Sequence, residues 1–265
     1  MASHYPFLSD RFIAFAHRGG SDYPPNVGKE NSLHAFNQAV ALGYRYIETD
    51  VQATRDGHLV CFHDPTLDRL TGVAGAVADY PLADLRQMKL GGTEPIPLFD
   101  EMVEALPGIK FNVDLKAPGA IEPLVAAIAA HGLADRILVD SFSQVRLSRF
   151  RVLTAGRIPT ALGLPGAAWL TQVPGLSRLV NSPGVALQVP VTQQVGPVQL
   201  RVITASSVAR AHAAGKVVHV WTIDQADEME RLIDLGVDGI FTDRPEILKD
   251  VLIRRGLWDL SGEEH

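Results

Sequence analysis

Apolar residues in this chain gather in eight short runs, separated by longer segments of mixed polarity. The runs are FIAFA (12–16), YIETD (46–50), KFNVDL (110–115), ILVDSF (137–142), IPTALGL (158–164), VALQVPV (185–191), VVHVWTI (217–223) and GIFT (239–242). Apolar stretches this short, bounded by turn residues, read as buried strands. The segments between them carry helical spacing. After Asn31 and Ser32, both good N-caps, Leu33, Phe36 and Val40 fall at i, i+3 and i+7, and Gly43 closes the helix. Asp224 likewise stands ahead of Met229, Leu232, Ile233 and Leu235, with Gly236 as the stop. Eight strands alternating with helices predict an α/β fold in which a parallel sheet closes into a TIM (β/α)₈ barrel. An open doubly wound sheet is the runner-up.

One connection is too long for a simple βα unit. Residues 51–109 separate the second run from the third, beginning with VQATRDGHLVCFHDP, where Asp56-Gly57 reads as a hairpin turn. The stretch carries too few apolar residues for a core of its own, so it is expected to be a small insertion on top of the barrel. Residues 1–265 then form one barrel domain, since such barrels routinely reach about 250 residues.

The second run raises a question of charge. Side chains alternate along a strand, so Glu48 and Asp50 project from the same face. Two like charges on one face of a buried strand repel and are poorly solvated, so something must compensate them. A bound cation would do so, as would solvent at the rim or neighbouring Arg and Lys. In a barrel the active site lies at the C-terminal ends of the strands. The first strand ends in His17-Arg18-Gly19-Gly20, the inserted hairpin in His63-Asp64, and the seventh strand in Trp221-Thr222. The third places Asn112, Asp114 and Lys116 on one face. Singly, each has a plainer reading: His63-Asp64 as the start of a turn, Trp221 as core, the two glycines as loop formers. His4, His34, His58, His131, His212 and His265 sit in helical or turn contexts and read as structural.

Composition narrows the chemistry. A formal charge of −6 and a pI near 5.8 argue against a general nucleic-acid binder. Cys61 is the only cysteine, so no intramolecular disulfide forms, and its apolar setting reads as a buried inert thiol. No secretory leader and no apolar window of about 18 residues stands out, so a soluble, cytoplasmic protein without stable membrane association is expected. Glu48, Asp50 and Asp114 offer hard oxygen ligands suited to Mg²⁺, Ca²⁺ or Mn²⁺. Arg18 and Lys116 are donors for phosphate. His17 and His63 provide an acid and a base near neutrality. Together these make a phosphoester-cleaving site.

At this point the chain resembles the glycerophosphodiester phosphodiesterase family. The matching pieces are HRG at 17–19, ENSLHAF at 30–36, IETDVQATRDGHLVCFHD at 47–64, the NxDxK of 112–116 and VWTIDQADEMERLIDLGVDGIFTDRP at 220–245. They run in the family's order across almost the whole chain. The resemblance implies a TIM barrel with a small insertion after the second strand and hydrolysis of glycerophosphodiesters to glycerol 3-phosphate and an alcohol. It implies a divalent cation on Glu48, Asp50 and Asp114, and His17 and His63 as the acid/base pair. Arg18 and Lys116 would bind phosphate and Trp221 would pack against substrate. Glu30 and Asn31 would mainly order a loop. Two places depart from the family pattern: Asp114 stands where Glu is usual, and Lys29 precedes Glu30 where Pro is usual, after a longer spacer. A lysophospholipid-cleaving enzyme is a rival that requires an apolar groove, which no amphipathic segment suggests. A catalytically silent phosphodiester-binding barrel is another.

Overall fold

The computed structural model describes residues 5–172 and 182–258; His4 and His265 lie outside them. In chain order the strands are β1 (Ile13–Ala16), β2 (Tyr46–Ala53), β3 (Leu59–Cys61), β4 (Lys89–Leu90), β5 (Glu94–Pro95), β6 (Lys110–Leu115), β7 (Ile137–Asp140), β8 (Ala186–Pro190), β9 (Thr192–Val195), β10 (Val198–Arg201), β11 (Val217–Trp221) and β12 (Gly239–Thr242). The helices are α1 (Leu33–Ala41), α2 (Asp68–Thr71), α3 (Leu82–Leu85), α4 (Phe99–Ala105), α5 (Ile121–Ala130), α6 (Gln144–Leu153), α7 (Leu164–Gln172), α8 (Ala205–Ala213), α9 (Ala226–Asp234) and α10 (Pro245–Arg254).

The main sheet runs β7-β6-β2-β1-β12-β11-β8 with parallel pairing throughout this path. Its two ends meet through residues 160–161. Thr160 bridges to Val139 and Ala161 to Ala186, with Ala161 N–H donating to the Val139 carbonyl at 3.0 Å and Leu162 N–H to that of Ala186 at 2.8 Å. The ring is therefore the expected TIM barrel, closed by a very short fifth stave. The run 158–164 promised a full strand, but Pro159 lacks an N–H for the ladder and α7 begins at Leu164.

The predicted caps fared unequally. Ser32 accepts from Ala35 N–H at 3.1 Å and starts α1. Asp224 does not cap α9, which starts after Gln225. Instead its Oδ1 accepts from Asp243 N–H at 2.8 Å and from the Thr242 hydroxyl at 3.0 Å, tying the end of β12 to the loop after β11.

Inside the barrel, Phe15 stacks on Phe241 at 4.1 Å and meets Tyr46 edge-on at 5.6 Å. One polar chain crosses this interior: Gln188 Nε2 donates to Asn112 Oδ1 at 2.8 Å and lies 3.2 Å from His219 Nδ1. Burial pushes His219 down to about 3, so it stays neutral at ordinary pH. Outside, the helices pack on the sheet through residues such as Phe36, Phe111, Leu124 and Phe150 on one side and Val218, Leu232, Ile240 and Leu248 on the other.

The insertion departs from the expectation in one respect. β3 folds back antiparallel on β2 around Gly57, at φ +85°, as the hairpin predicts. Beyond it, however, Val60, Phe62, Leu67, Leu70, Val77, Leu85, Leu90 and Ile96 form a buried cluster of their own. The apolar residues are spread too thinly along the sequence to announce this core, and short turns such as α2 and α3 bring them together. Cys61 is fully buried beside Met102, and burial pushes its thiol up to about 12, in line with an inert role. No described helix is long and apolar enough to cross a membrane.

Candidate active site

Strand register assembles the site. Asp50 of β2 pairs with Asp114 of β6, and Asp114 pairs with Asp140 of β7. Three carboxylates therefore lie in one row across three neighbouring strands, near their C-terminal ends. Two residues earlier on each strand, Glu48 pairs with Asn112. On the other side of β2, Ala16 pairs with Ile47, which sets His17 beside Glu48: His17 Nε2 lies 3.8 Å from Glu48 Oε2.

The loop after β1 is held in a conformation that its residues explain. Gly19 and Gly20 have φ near +85° and +88°, and a Cβ there would lie 2.8 Å from Ala35 and 2.6 Å from Pro245. Arg18 itself sits at φ +51°, in the left-handed region that residues with a Cβ seldom adopt. The cost is met by contacts: Arg18 N–H donates to Glu48 Oε2 at 3.0 Å, and Asn31 N–H donates to the Arg18 carbonyl at 3.0 Å. Strain of this kind persists where the surroundings over-determine it.

Two cations sit among the acids. Lys116 Nζ lies 2.8 Å from Asp50 Oδ1 and 2.6 Å from Asp114 Oδ2. Arg18 donates to Glu30 at 2.9 Å and its Nε lies 3.3 Å from Asp50 Oδ2. Asn31 completes the setting of Asp50, donating to Oδ2 at 2.9 Å and accepting from Thr49 at 2.7 Å. Glu30 also takes a bidentate pair from Arg69, which in turn reaches Asp64. Glu30 and Asn31 thus order the loop, as expected of them.

The balance of charge is acidic, and it shows in the proton affinities. Burial, then the Asp50 charge, pushes Glu48 up to about 7. Burial, then the Asp114 charge, pushes Asp140 up to about 8. Asp50 goes the other way: burial would raise it, but Lys116 and Arg18 outweigh that and hold it at about 2. Asp114 is raised, chiefly by burial, and its Oδ1 is buried with no hydrogen-bond partner. In this arrangement basic side chains offset the acids: His17, then Arg18 and Lys116, at Glu48, and Lys116, then Arg18, at Asp50.

Each predicted histidine is oriented by a carboxylate. His17 Nδ1 lies 2.7 Å from Asp243 Oδ1, and Asp243 also accepts from the Ser21 hydroxyl at 2.7 Å. Burial lowers His17, but Glu48 and Asp243 more than offset it and leave the imidazole raised. His63 Nδ1 lies 2.7 Å from Asp64 Oδ1. In both residues Nε2 is left for chemistry.

All eight predicted site residues come together. His17, Arg18, Glu48, Asp50, His63, Asp114, Lys116 and Trp221 line one cavity of about 160 Å³, joined by Asp140, Phe142 and Gln188. Glu48, Asp50 and Asp114 do not together bring one oxygen each within 4.8 Å of the other two. Among the described residues, the groups that do close so tightly are Glu30 with His63 and Asp64, and Asp22 with Asp224 and Asp243. Trp221 is half-buried, packs against the Phe15–Tyr46–Phe241 cluster and meets Phe142 edge-on at 5.8 Å.

Sequence reading missed Asp140, Asp243 and Phe142, and took Asp64 only as a turn residue. The signal for two of them was available. Asp140 ends the fourth strand and Asp243 follows the eighth, so the rule that the site lies at strand C-termini points to both. The reading also found no sign of an apolar groove, and here the structure corrects it. A second cavity of about 280 Å³ adjoins the first, sharing Asp140, Phe142, Gln188 and Trp221, and its remaining wall is mainly aliphatic. The wall comes from α7, β8 and the β9–β10 hairpin, which are far apart in sequence and leave no amphipathic signature.

Fold and site together define a barrel hydrolase of phosphoric diesters, with its polar groups at the carboxyl ends of the strands. Residues 17–247 match the glycerophosphoryl diester phosphodiesterase family, and the chain belongs to it. The "Probable glycerophosphodiester phosphodiesterase 2" of Mycobacterium tuberculosis is 42% identical over 252 residues, covering 93% of each chain. A glycerophosphodiester phosphodiesterase of Caldanaerobacter subterraneus subsp. tengcongensis is 33% identical over 92% of this chain and 98% of its own. Among solved structures, a phosphodiesterase of Oleispira antarctica in complex with the product sn-glycerol-3-phosphate superposes with a TM-score of 0.74. It is 26% identical, covering 91% of this chain and 96% of that one.

Proposed function

We propose that this protein is a divalent-metal-dependent enzyme that hydrolyses glycerophosphodiesters to glycerol 3-phosphate and an alcohol. The observation that carries the reading is the pairing of two carboxylate-oriented histidines, His17 with Asp243 and His63 with Asp64, across a cavity that also holds Arg18 and Lys116. Two imidazoles with free Nε2 atoms are what a phosphoester needs: one takes a proton from the nucleophile and the other gives one to the departing alkoxide. Each such transfer contributes typically 10²–10⁴-fold. Arg18 and Lys116 bind and orient the phosphoryl oxygens, and their charge favours the dianionic character that develops during transfer. Trp221 and Phe142 form the apolar lip against which the organic part of the substrate packs.

The donor set fits a hard divalent cation. Four buried or half-buried carboxylates, Glu48, Asp50, Asp114 and Asp140, face two cationic side chains, and Asp114 Oδ1 is buried without a partner. Glu48, Asp50 and Asp114 would hold the ion, with Lys116 turning from the carboxylates towards phosphate. When bound, it would supply Lewis-acid polarisation of a phosphoryl oxygen.

The reading is tested by turnover of glycerophosphocholine with and without EDTA, and by His17→Ala and His63→Ala. EDTA should abolish activity and Mg²⁺, Mn²⁺ or Ca²⁺ restore it, while each alanine variant loses at least about 10² in kcat. Full turnover in chelator, or near wild-type kcat in either folded variant, refutes it. A silent phosphodiester-binding barrel would give no turnover under any of these conditions.

A further inference from the structure

The short helix α2 of the insertion carries an arginine whose guanidinium is shared between two carboxylates. Leu67 and Leu70 hold this turn in the insertion's own core, Gly72 closes it at φ +71°, and Arg69 reaches from it to the loop between β1 and α1. Its Nε and Nη2 lie 2.6 and 3.0 Å from the two oxygens of Asp64, and its Nη1 and Nη2 lie 2.8 and 2.7 Å from those of Glu30. Each carboxylate has a second task. Asp64 Oδ1 lies 2.7 Å from His63 Nδ1, and Glu30 Oε1 accepts from Arg18 Nη1 at 2.9 Å. One run of charge-assisted bonds thus joins His63 on the insertion to Arg18 on the barrel, through Asp64, Arg69 and Glu30. The same two parts also meet where a Cβ on Gly91 would lie 2.7 Å from the Gly28 carbonyl oxygen, but that contact is backbone alone.

We propose that Arg69 is a positioning residue for the phosphodiester reaction, a clamp that makes the histidine of the insertion and the phosphate donor of the barrel act as one unit. The inference rests on the phosphodiesterase reading and adds to it a residue that does not line the catalytic cavity. A plain surface ion pair is the alternative, since the Arg69 side chain is 51% exposed and such pairs contribute about 0–1 kcal/mol. The geometry argues otherwise. Glu30 is only 7% exposed, and both carboxylates are met by paired donors of one planar fork, which an ammonium could not supply. Arg69 is also what chiefly holds Asp64 at about 2, so that Asp64 keeps its charge towards His63. The His63 side chain is itself 30% exposed and leans on Asp64 through Nδ1, so the ring turns with that carboxylate once the clamp is gone. A displacement of about 1 Å at a catalytic group costs about 10²-fold in rate.

The test is steady-state turnover of glycerophosphocholine by the metal-loaded enzyme. Arg69→Ala should lower kcat by about 10²-fold and raise KM as well. Asp64→Asn should act chiefly on kcat, through His63, and Glu30→Gln chiefly on KM, through Arg18. The double variant Arg69→Ala/Asp64→Asn should lose less in kcat than the product of its two single losses. Methylguanidinium should restore part of what Arg69→Ala loses, while methylammonium at the same concentration and the Arg69→Lys variant should not, since neither offers the fork. Arg86→Gln is the control: this exposed arginine of the same insertion pairs with Glu101, and its loss should leave kcat and KM as they are. Near wild-type kcat and KM in folded Arg69→Ala overturn the proposal. So do additive losses, a change in only one of the two constants, equal recovery with methylammonium, or an equal loss in Arg86→Gln. Should Arg69→Ala fail to fold, Arg69→Lys, the milder change, takes its place in the kinetic cycle. If the wild type turns over no diester, the phosphodiesterase reading fails and NMR of the His63 ring decides: Arg69→Ala should broaden or split its signals where Arg86→Gln does not, and unchanged signals in Arg69→Ala overturn the clamp.

Discussion

Replacing Asp243 by Asn tests the two-part histidine arrangement at its most sensitive point. Four influences act on the His17 imidazole: burial lowers its proton affinity most, Glu48 at 3.8 Å and Asp243 at 2.7 Å together more than restore it, and the Arg18 charge lowers it a little. Asn keeps the shape of Asp243 and an acceptor for Nδ1 but removes the charge. A hydrogen bond to a charged partner is worth about 1.5–3 kcal/mol, and one pKa unit corresponds to about 1.36 kcal/mol. The His17 titration should therefore move down by about one to two units, since burial is then opposed chiefly by Glu48 alone. The measurement is an NMR titration of the ring in EDTA, so that no bound ion enters the balance. In the metal-loaded enzyme the limb of the pH–rate profile that reports His17 should shift to lower pH by a similar amount.

The same variant has a stability signature with a definite sign. His17 binds its proton more tightly folded than unfolded. Its contribution to stability is full below about pH 6.5 and is lost as pH rises through the folded value. Asp243→Asn should thus narrow the gap in Tm between pH 5.5 and pH 8 that this group produces. Ser21→Ala, which removes only the hydroxyl bonded to Asp243, serves as the control and should shift the titration far less. A His17 titration that moves by under about 0.3 unit in Asp243→Asn would refute the reasoning, as would a full shift with no change in turnover.

Three further outcomes follow from the geometry. Asp140 is raised to about 8 in the folded chain, so its stabilising share fades as pH climbs from its ordinary 3.8 through that value; Asp140→Asn in EDTA should gain Tm over the wild type progressively from pH 5 to pH 8, and a constant difference counts against it. Asp114→Glu lengthens the carboxylate past its Lys116 contact, and calorimetry should find Mn²⁺ bound several-fold more tightly; weaker binding would show that the shorter side chain is the better fit. Phe15→Ala removes a fully buried ring stacked on Phe241 and should cost about 3–5 kcal/mol in urea unfolding, whereas a loss under 1 kcal/mol would mean the barrel interior closes over the gap.

How much of this was legible beforehand depends on whether a feature is carried by spacing along the chain or by adjacency across it. KFNVDL and GIFT coincide with β6 and β12 residue for residue: GIFT is short and largely apolar, and in KFNVDL apolar Phe111, Val113 and Leu115 alternate with polar residues at the strand period. Period-two alternation likewise put Glu48 with Asp50 and Asn112 with Asp114 correctly. The fifth stave was overestimated because its run contains Pro159, and two bridges at 160–161 suffice to close a barrel whose other pairings are long. Alternation within one strand says nothing of what the next strand brings. The row Asp50–Asp114–Asp140 exists only through inter-strand register: the strand-end rule points to Asp140 as a site residue, but not to its place beside Asp114. The aliphatic cavity is hidden for the same reason, since α7, β8 and the β9–β10 hairpin each donate one or a few residues to it. Charge shows the difference most clearly. From the sequence, a cation, solvent or basic side chains could each compensate Glu48 and Asp50. The fold puts Lys116 against Asp50 and Asp114, and Arg18 against Glu30 and Asp50, which are the same two residues a phosphate would need. If Arg18 and Lys116 bind phosphate as proposed, the acids keep these donors folded inward, and an incoming cation that takes over the carboxylates would free both for the substrate's oxygens, coupling ion binding to phosphate binding through the same five side chains.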